Sequence, residues 1–339
     1  MKNLKTTLND ILLNDEIVDL TLSYSRLSDF DRNGASALLD KTNKETVALK
    51  TGTLIDDLLF TSTEEFNNKY YISNYEEPSA MLGSLCKIII SNYTEIPNKE
   101  EILKIITLNN FWSNIKKEDL LISKFDNDEF WGYLKEKMLI LDKVIISNED
   151  YNKAVKLKEI ILTHPFSKNI FNNELEHIYQ YSFTTKIKYF LFRGIIDIIS
   201  IDHKNKIVYF KDFKTGAGNS SEFTSSFLKY RYYLQEAVYT LAFEEVCKKL
   251  NLEGYTLGNF EFIYISLKEQ IPVSHIVTPK WHNCALNGFK TTSGYKYKGL
   301  YELIEEVYFH WKNKIYDLPM DIYLKNGLIN LDDSFVNEV

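Results

Sequence analysis

Two aspartates and a lysine carry the first chemical signal in this chain. The run "IVYFKDFKTGAG" (207–218) is an apolar strand pattern that ends by placing Asp212 and Lys214 two residues apart, on one side of the pleat. The preceding run "GIIDIISI" (194–201) sets Asp197 on one face with Ile195 and Ile199, and the later run sets Asp212 and Lys214 with Val208 and Phe210. If "DHKN" turns the chain between them, both carboxylates converge at one end of a sheet. Converging carboxylates in an apolar setting repel each other and lose hydration, a cost that a cation between them removes. Mg²⁺ suits such a pair, because it takes one or two carboxylates and fills its other positions with water and phosphate oxygens. Beside such a cation, Lys214 could orient or deprotonate a water, or neutralise charge on a phosphate under attack. The plainer alternative is an ion pair at a strand end.

The next segment adds polar groups at helical spacing. "YRYYLQEAVYT" puts Arg231, Gln235 and Tyr239 at i, i+4 and i+8, a stripe beside the apolar Leu234 and Val238. Reached through the turn "TGAGNSS", this stripe could hold Lys214 and the phosphates of a strand; Gln235 and Tyr239 could equally be boundary residues. The order GxxD (Gly194 to Asp197), DxK (Asp212 to Lys214) and QxxxY (Gln235 to Tyr239) resembles the PD-(D/E)XK nuclease superfamily, in particular its RecB-like exonuclease branch. The likeness covers roughly residues 174 to 240.

That resemblance implies a restriction-endonuclease-like core and Mg²⁺-dependent hydrolysis of phosphodiester bonds in DNA, often from a free end, with Mn²⁺ as a substitute. It assigns Asp197, Asp212 and the backbone carbonyl of Phe213 to the metal, Lys214 to the attacking water, and Gln235 and Tyr239 to its support. Relatives carry GxxxH on an upstream helix, whose His binds metal; here Gly52 is followed by Asp56, a hard-metal ligand that could also be an ordinary exposed helix residue. Glu174 matches a position ahead of the first core strand where relatives often place an acid. Iron–sulfur relatives need four cysteines, and this chain has three. The "GTLIDDLLF" helix far upstream of the core looks most like phage RecE-like exonucleases or the mitochondrial genome maintenance exonuclease. The implied partner is DNA, single-stranded or a duplex end, with a recombination or single-strand-binding protein as a further one. A structure-specific or restriction-type endonuclease, and a non-catalytic DNA-binding protein on the same core, are the alternatives.

These residues must be positioned by a larger frame. The chain has 339 residues, 45% hydrophobic and 14% aromatic, enough to bury a sizeable core. From about Gly52 to Leu162 the apolar spacing of three and four predicts helices, including "AMLGSLCKIIISNY", "KEEILKIITLNNFW" and "DEFWGYLKEKMLILDKVII". From about Leu175 to Phe213, "KIKYFLF", "GIIDIISI" and "KIVYFKDF" predict an antiparallel meander. One helix follows from about Glu222 to Leu250, capped by Asn219 and Glu222; then come strands "NFEFIYISL" and "PVSHIVT" and a helix over 299–314. The plan is α+β, a mixed sheet flanked by helices. The expected divisions are a helical region 1–173 that lends one helix (about 52–60) to the site, a core 174–318 and a polar tail 319–339.

Charge and composition narrow the classes. A net charge of −7 speaks against a whole-protein nucleic-acid footprint, yet residues 186–231 carry nine basic groups against four acids. Arg193, Lys229, Arg231 and the aromatic Tyr232 are the expected DNA contacts. Cys86, Cys247 and Cys284 show no CxxC pairing, which speaks against a disulfide framework or a zinc site. No apolar run reaches membrane-span length and the charged N-terminus does not read as a signal peptide, so a cytoplasmic protein is expected, in a bacterial or phage-infected cell. "TGAGNSS" lacks the P-loop lysine, and no HExxH or GxSxG is present.

Overall fold

The computed structural model describes residues 19–39, 47–78, 80–140 and 142–328. The segments 1–18, 40–46 and 329–339, which include most of the expected tail, lie outside the described residues. The chain forms two compact units, Leu49–Thr163 by itself and Met1–Ala48 together with His164–Val339. The boundary expected at residue 173 thus falls at 163/164, and the described N-terminal residues join the sheet rather than the helical region.

In the sheet-bearing unit, β1 (Thr21–Leu22) and α1 (Tyr24–Asn33) precede the meander β2 (Glu176–Ile187), β3 (Phe190–Asp202) and β4 (Ile207–Gly216). Three helices follow, α2 (Phe223–Lys229), α3 (Tyr232–Leu241) and α4 (Phe243–Lys249). Strands β5 (Thr256–Leu257), β6 (Glu261–Ser266) and β7 (Pro272–Ile276), then helices α5 (Pro279–Asn287) and α6 (Leu300–Asn313), come next, with a separate strand pair Phe289–Lys290 and Lys296–Tyr297 between the two helices. The seven strands form one mixed sheet in the order β1-β3-β4-β6-β7, with β2 on β3 and β5 on β4. β2, β3 and β4 are antiparallel, whereas β6 lies parallel to β4, as a connection through helices requires. This is the α+β class expected from the pattern of elements.

Two elements differ from the sequence expectation. "KIKYFLF" is not one strand: β2 ends at Ile187 and β3 begins at Phe190, with Lys188 at φ 50 in the tight turn between them. A left-handed lysine carries no Asn-Gly or Asp-Gly signal, so the hairpin is not readable. The helix expected over 222–250 is three: Arg231 at φ 60 separates α2 from α3, and Ala242 separates α3 from α4. The Asn219/Glu222 capping box does form, with Asn219 N–H donating to Glu222 Oε2 at 3.1 Å.

Helix α3 is enclosed on all sides, every residue from Tyr233 to Tyr239 being buried. Leu234, Ala237 and Val238 pack into a core shared with Phe192, Ile196, Val208, Phe210, Phe262 and, from α6, Leu303 and Val307. Each fully buried Leu, Ile or Phe contributes about 1.5–3 kcal/mol. An enclosed helix also forces its polar residues to find internal partners.

The helical unit holds seven helices among its described residues, from Val47–Phe60 to Asn148–Thr163, and those between Ala80 and Leu139 share a core of Leu85, Ile89, Ile102, Phe125 and Phe130. The long helix expected from "DEFWGYLKEKMLILDKVII" stops at Leu139, and Val144–Ser147 pairs parallel with Tyr70–Ser73 instead. Its β-branched run explains the switch. Among the described residues no helix is long and apolar enough to cross a membrane.

Candidate active site

The site arises from how β3 is shared. One edge of β3 pairs with β2 along nearly its whole length. The other edge pairs with β4 only from Ile198 to Asp202, and with β1 at Leu191 and Phe192. Residues 193–197 therefore have no strand partner on that edge among the described residues. β4 runs on past the fork, paired to β6 from Lys211 to Gly216. Asp197 and Asp212 stand one step beyond the last pair, Ile198 with Lys211, on opposite arms of this fork.

Each carboxylate is held in place. Asp197 accepts the backbone N–H of Phe213 on Oδ2 at 2.7 Å and the Gln180 amide on Oδ1 at 3.1 Å, so a side chain replaces the missing ladder bond. Asp212, 2% exposed, accepts Gln235 Nε2 on Oδ1 at 2.6 Å and forms an ion pair with Lys214 through Oδ2. Asp197 also lies within hydrogen-bonding reach of Asp212. Burial pushes the Asp212 carboxyl above its usual range, and Lys214, Gln235 and Asp197 only partly offset it. Burial pulls the Lys214 ammonium down, but Asp212, Tyr232 and Asp197 outweigh it and hold it above the ordinary lysine value. Its Nζ also sits over the Tyr232 ring at 5.0 Å and the Phe262 ring at 5.9 Å.

Gly194 and Tyr239 belong to one contact. A Cβ at Gly194 would stand 2.7 Å from the Phe183 ring and 2.9 Å from the Tyr239 ring, so only glycine admits both. Tyr239 donates to Ile195 O at 2.8 Å, using a carbonyl in the unpaired stretch of β3. Burial raises the Tyr239 phenol far above its usual value, with Asp212 adding to the rise. Gln235 is 3% exposed, and its Oε1 has no hydrogen-bond partner among the described residues.

The donor set suits a hard divalent cation. Two carboxylates face one ammonium, a net negative site, and a buried amide oxygen beside them is unsatisfied. Among the described residues no cluster of three or more His, Cys, Asp or Glu is placed to hold a metal. The side chains would thus supply two carboxylates, with the Phe213 carbonyl as the expected backbone donor, and leave the remaining positions to water and substrate.

Other expected site residues are placed differently. Glu174 is exposed in a turn before β2, whose first residue Glu176 faces Ile201, four residues along β3 from Asp197, or about 13 Å. Register therefore takes Glu174 away from the carboxylate pair. Asp56 lies on the helix Val47–Phe60 of the helical unit, close enough to Tyr70 to add to the burial that raises that phenol. Arg193 and Lys229 are exposed. Arg231 is not a surface cation: it is 8% exposed, ion-paired to Asp31, and donates to Leu228 O at 2.7 Å. Lys211 is also turned inward, on the carbonyls of Asn169 and Ile170 at 3.3 and 3.0 Å. The basic stretch 186–231 is thus split between surface and interior. Gln180 and Tyr24 escaped the sequence reading; Gln180 sits at φ 48 in β2, and Tyr24 opens α1 with its ring 6.2 Å from Tyr232. Neither lies in a pattern that spacing reveals.

No protein-family model matches the chain, and none of the curated proteins does. Among solved structures it is similar to a protein from Eubacterium rectale named "Putative exonuclease", with 11% identity, a TM-score of 0.44, and coverage of 98% of this chain and 96% of that one.

Proposed function

We propose that this protein is a divalent-metal-dependent nuclease that hydrolyses phosphodiester bonds of DNA from ends. The observation that carries the reading is the convergence of Asp197 and Asp212 on the two arms of the β3/β4 fork, with Lys214 on the second carboxylate. Asp197, Asp212 and the carbonyl of Phe213 would hold Mg²⁺, with Mn²⁺ as a substitute; when bound, the ion polarises the phosphoryl oxygen and stabilises the leaving alkoxide.

The chain's own groups do the rest. Lys214, protonated and anchored by Asp212, presents an ammonium to the attacked phosphate and orients the incoming water. Gln235 fixes the Asp212 carboxylate, and Gln180 with the Phe213 N–H fixes that of Asp197, so neither rotates away. Tyr239 keeps the unpaired stretch of β3 in place through Ile195 O. The proton released by the water has a hydrated exit, because Asp197 is only partly buried.

Digestion of linear duplex, linear single strand and closed circular plasmid, with Mg²⁺ and with chelator, tests the reading. Loss of linear DNA from its ends with Mg²⁺ alone is expected, and Lys214→Ala should abolish it while DNA and metal binding remain. Cleavage of closed circles would instead make the protein an endonuclease. Binding without hydrolysis under every metal tried would overturn the catalytic reading.

A further inference from the structure

Three successive residues at the α2–α3 junction point in three directions. Tyr230 stands outward, 39% exposed, with Lys229 Nζ over its ring at 5.2 Å. Arg231 turns inward in a left-handed conformation, ion-paired to Asp31, with its guanidinium 4.7 Å from the Tyr297 ring. Tyr232 lies under the Lys214 ammonium. A left-handed arginine is strained, and strain persists only where the surroundings over-determine it. Here they do: the Tyr230 carbonyl accepts both Tyr24 Oη at 2.6 Å and Ser28 Oγ at 3.0 Å, while Arg231 is locked from below.

The result is an exposed aromatic on a pinned backbone next to the site. Tyr230 and Tyr232 have ring centroids 5.7 Å apart, so the Tyr230 ring stands at most about 11 Å from the Lys214 Nζ. A fixed aromatic face beside a cation, a nucleotide or two from a phosphate-binding group, suits an unpaired base: the π-face takes any base, and Lys229 takes its phosphate. A base pair stacked inside a duplex offers no free face to it.

Resting on the nuclease reading, we infer that Tyr230, backed by Lys229, is a stacking platform for an unpaired nucleotide flanking the hydrolysed bond, which makes an unpaired DNA strand the substrate of this site. The full chain carrying Lys214→Ala, which cannot cleave, is titrated with a fluorescent single-stranded oligonucleotide and with a blunt duplex. Adding Tyr230→Ala should weaken single-strand binding roughly tenfold or more, Tyr230→Phe should leave it within about twofold, and blunt-duplex binding should change little. A Tyr230→Ala protein that melts like its parent yet binds the single strand unchanged, or loses both DNAs equally, overturns the platform. Failure of the Lys214→Ala parent to bind any DNA would instead overturn the nuclease reading, so the two failures are distinguishable.

Discussion

Replacing Lys214 by methionine probes the centre of the site without cutting DNA. The substitution keeps most of the side-chain volume and removes the ammonium, leaving Asp212 as a carboxylate whose side chain is 3% exposed. Breaking one partner of a buried ion pair costs about 3–5 kcal/mol, because the remaining charge is stranded. Gln235 Nε2 stays on Asp212 Oδ1 and retains part of the compensation, so a loss near about 3 kcal/mol is expected. Asp212→Asn should cost less, since Lys214 keeps the Tyr232 ring at 5.0 Å and is 17% exposed. The double variant, with both charges gone, should recover much of the loss and give a coupling energy of roughly 2 kcal/mol. Urea unfolding of the four proteins at neutral pH, with chelator present, measures this. The Lys214 ammonium is held above its ordinary value in the folded state, so its contribution is complete below about pH 10.4 and is lost as pH rises through the folded value. A coupling under about 0.5 kcal/mol would refute the stranded-charge argument.

Two further outcomes are expected. Gly194→Ala should destabilise by about 1–3 kcal/mol and lower hydrolysis, since its Cβ would press on the Phe183 and Tyr239 rings; urea unfolding and a digestion assay check it. His282 Nδ1 meets the buried Glu236 at 2.8 Å, and that hydrogen bond, opposed by burial, raises the imidazole's pKa. Its stabilisation is therefore complete below about pH 6.5 and fades as pH rises through the folded value, so the melting-temperature gap between wild type and His282→Asn should narrow from about pH 6 to pH 9.

The sequence makes some of this legible and hides the rest for physical reasons. Asp197, Asp212 and Lys214 stand out because charged residues interrupt apolar strand runs, and Gln235 and Tyr239 because the 3.6-residue period survives around them. The fork itself is invisible, since register is a pairwise property of β3 with β4 and β1. Glu174 looks near because it is near in sequence, but a strand places every further residue about 3.3 Å away. Arg231 looks like a phosphate contact because composition counts charge, not direction; its partner Asp31 is 200 residues away. The turn at Lys188 and the break at Arg231 both use left-handed residues other than glycine, which local propensity does not foresee.

That Asp31–Arg231 separation also sets a schedule. The segment carrying β1 and α1 leaves the ribosome before the strand and the arginine that hold it in the fold, with the whole helical unit made in between. At roughly 5–20 residues per second, 200 residues take on the order of ten to forty seconds. For that interval Leu22, Leu27 and Phe30, all buried in the finished protein, have no core to enter. The amino-terminal segment is thus made first, yet it cannot complete its β1–β3 pairing or its Asp31–Arg231 ion pair until the later strands and the α2–α3 junction have followed.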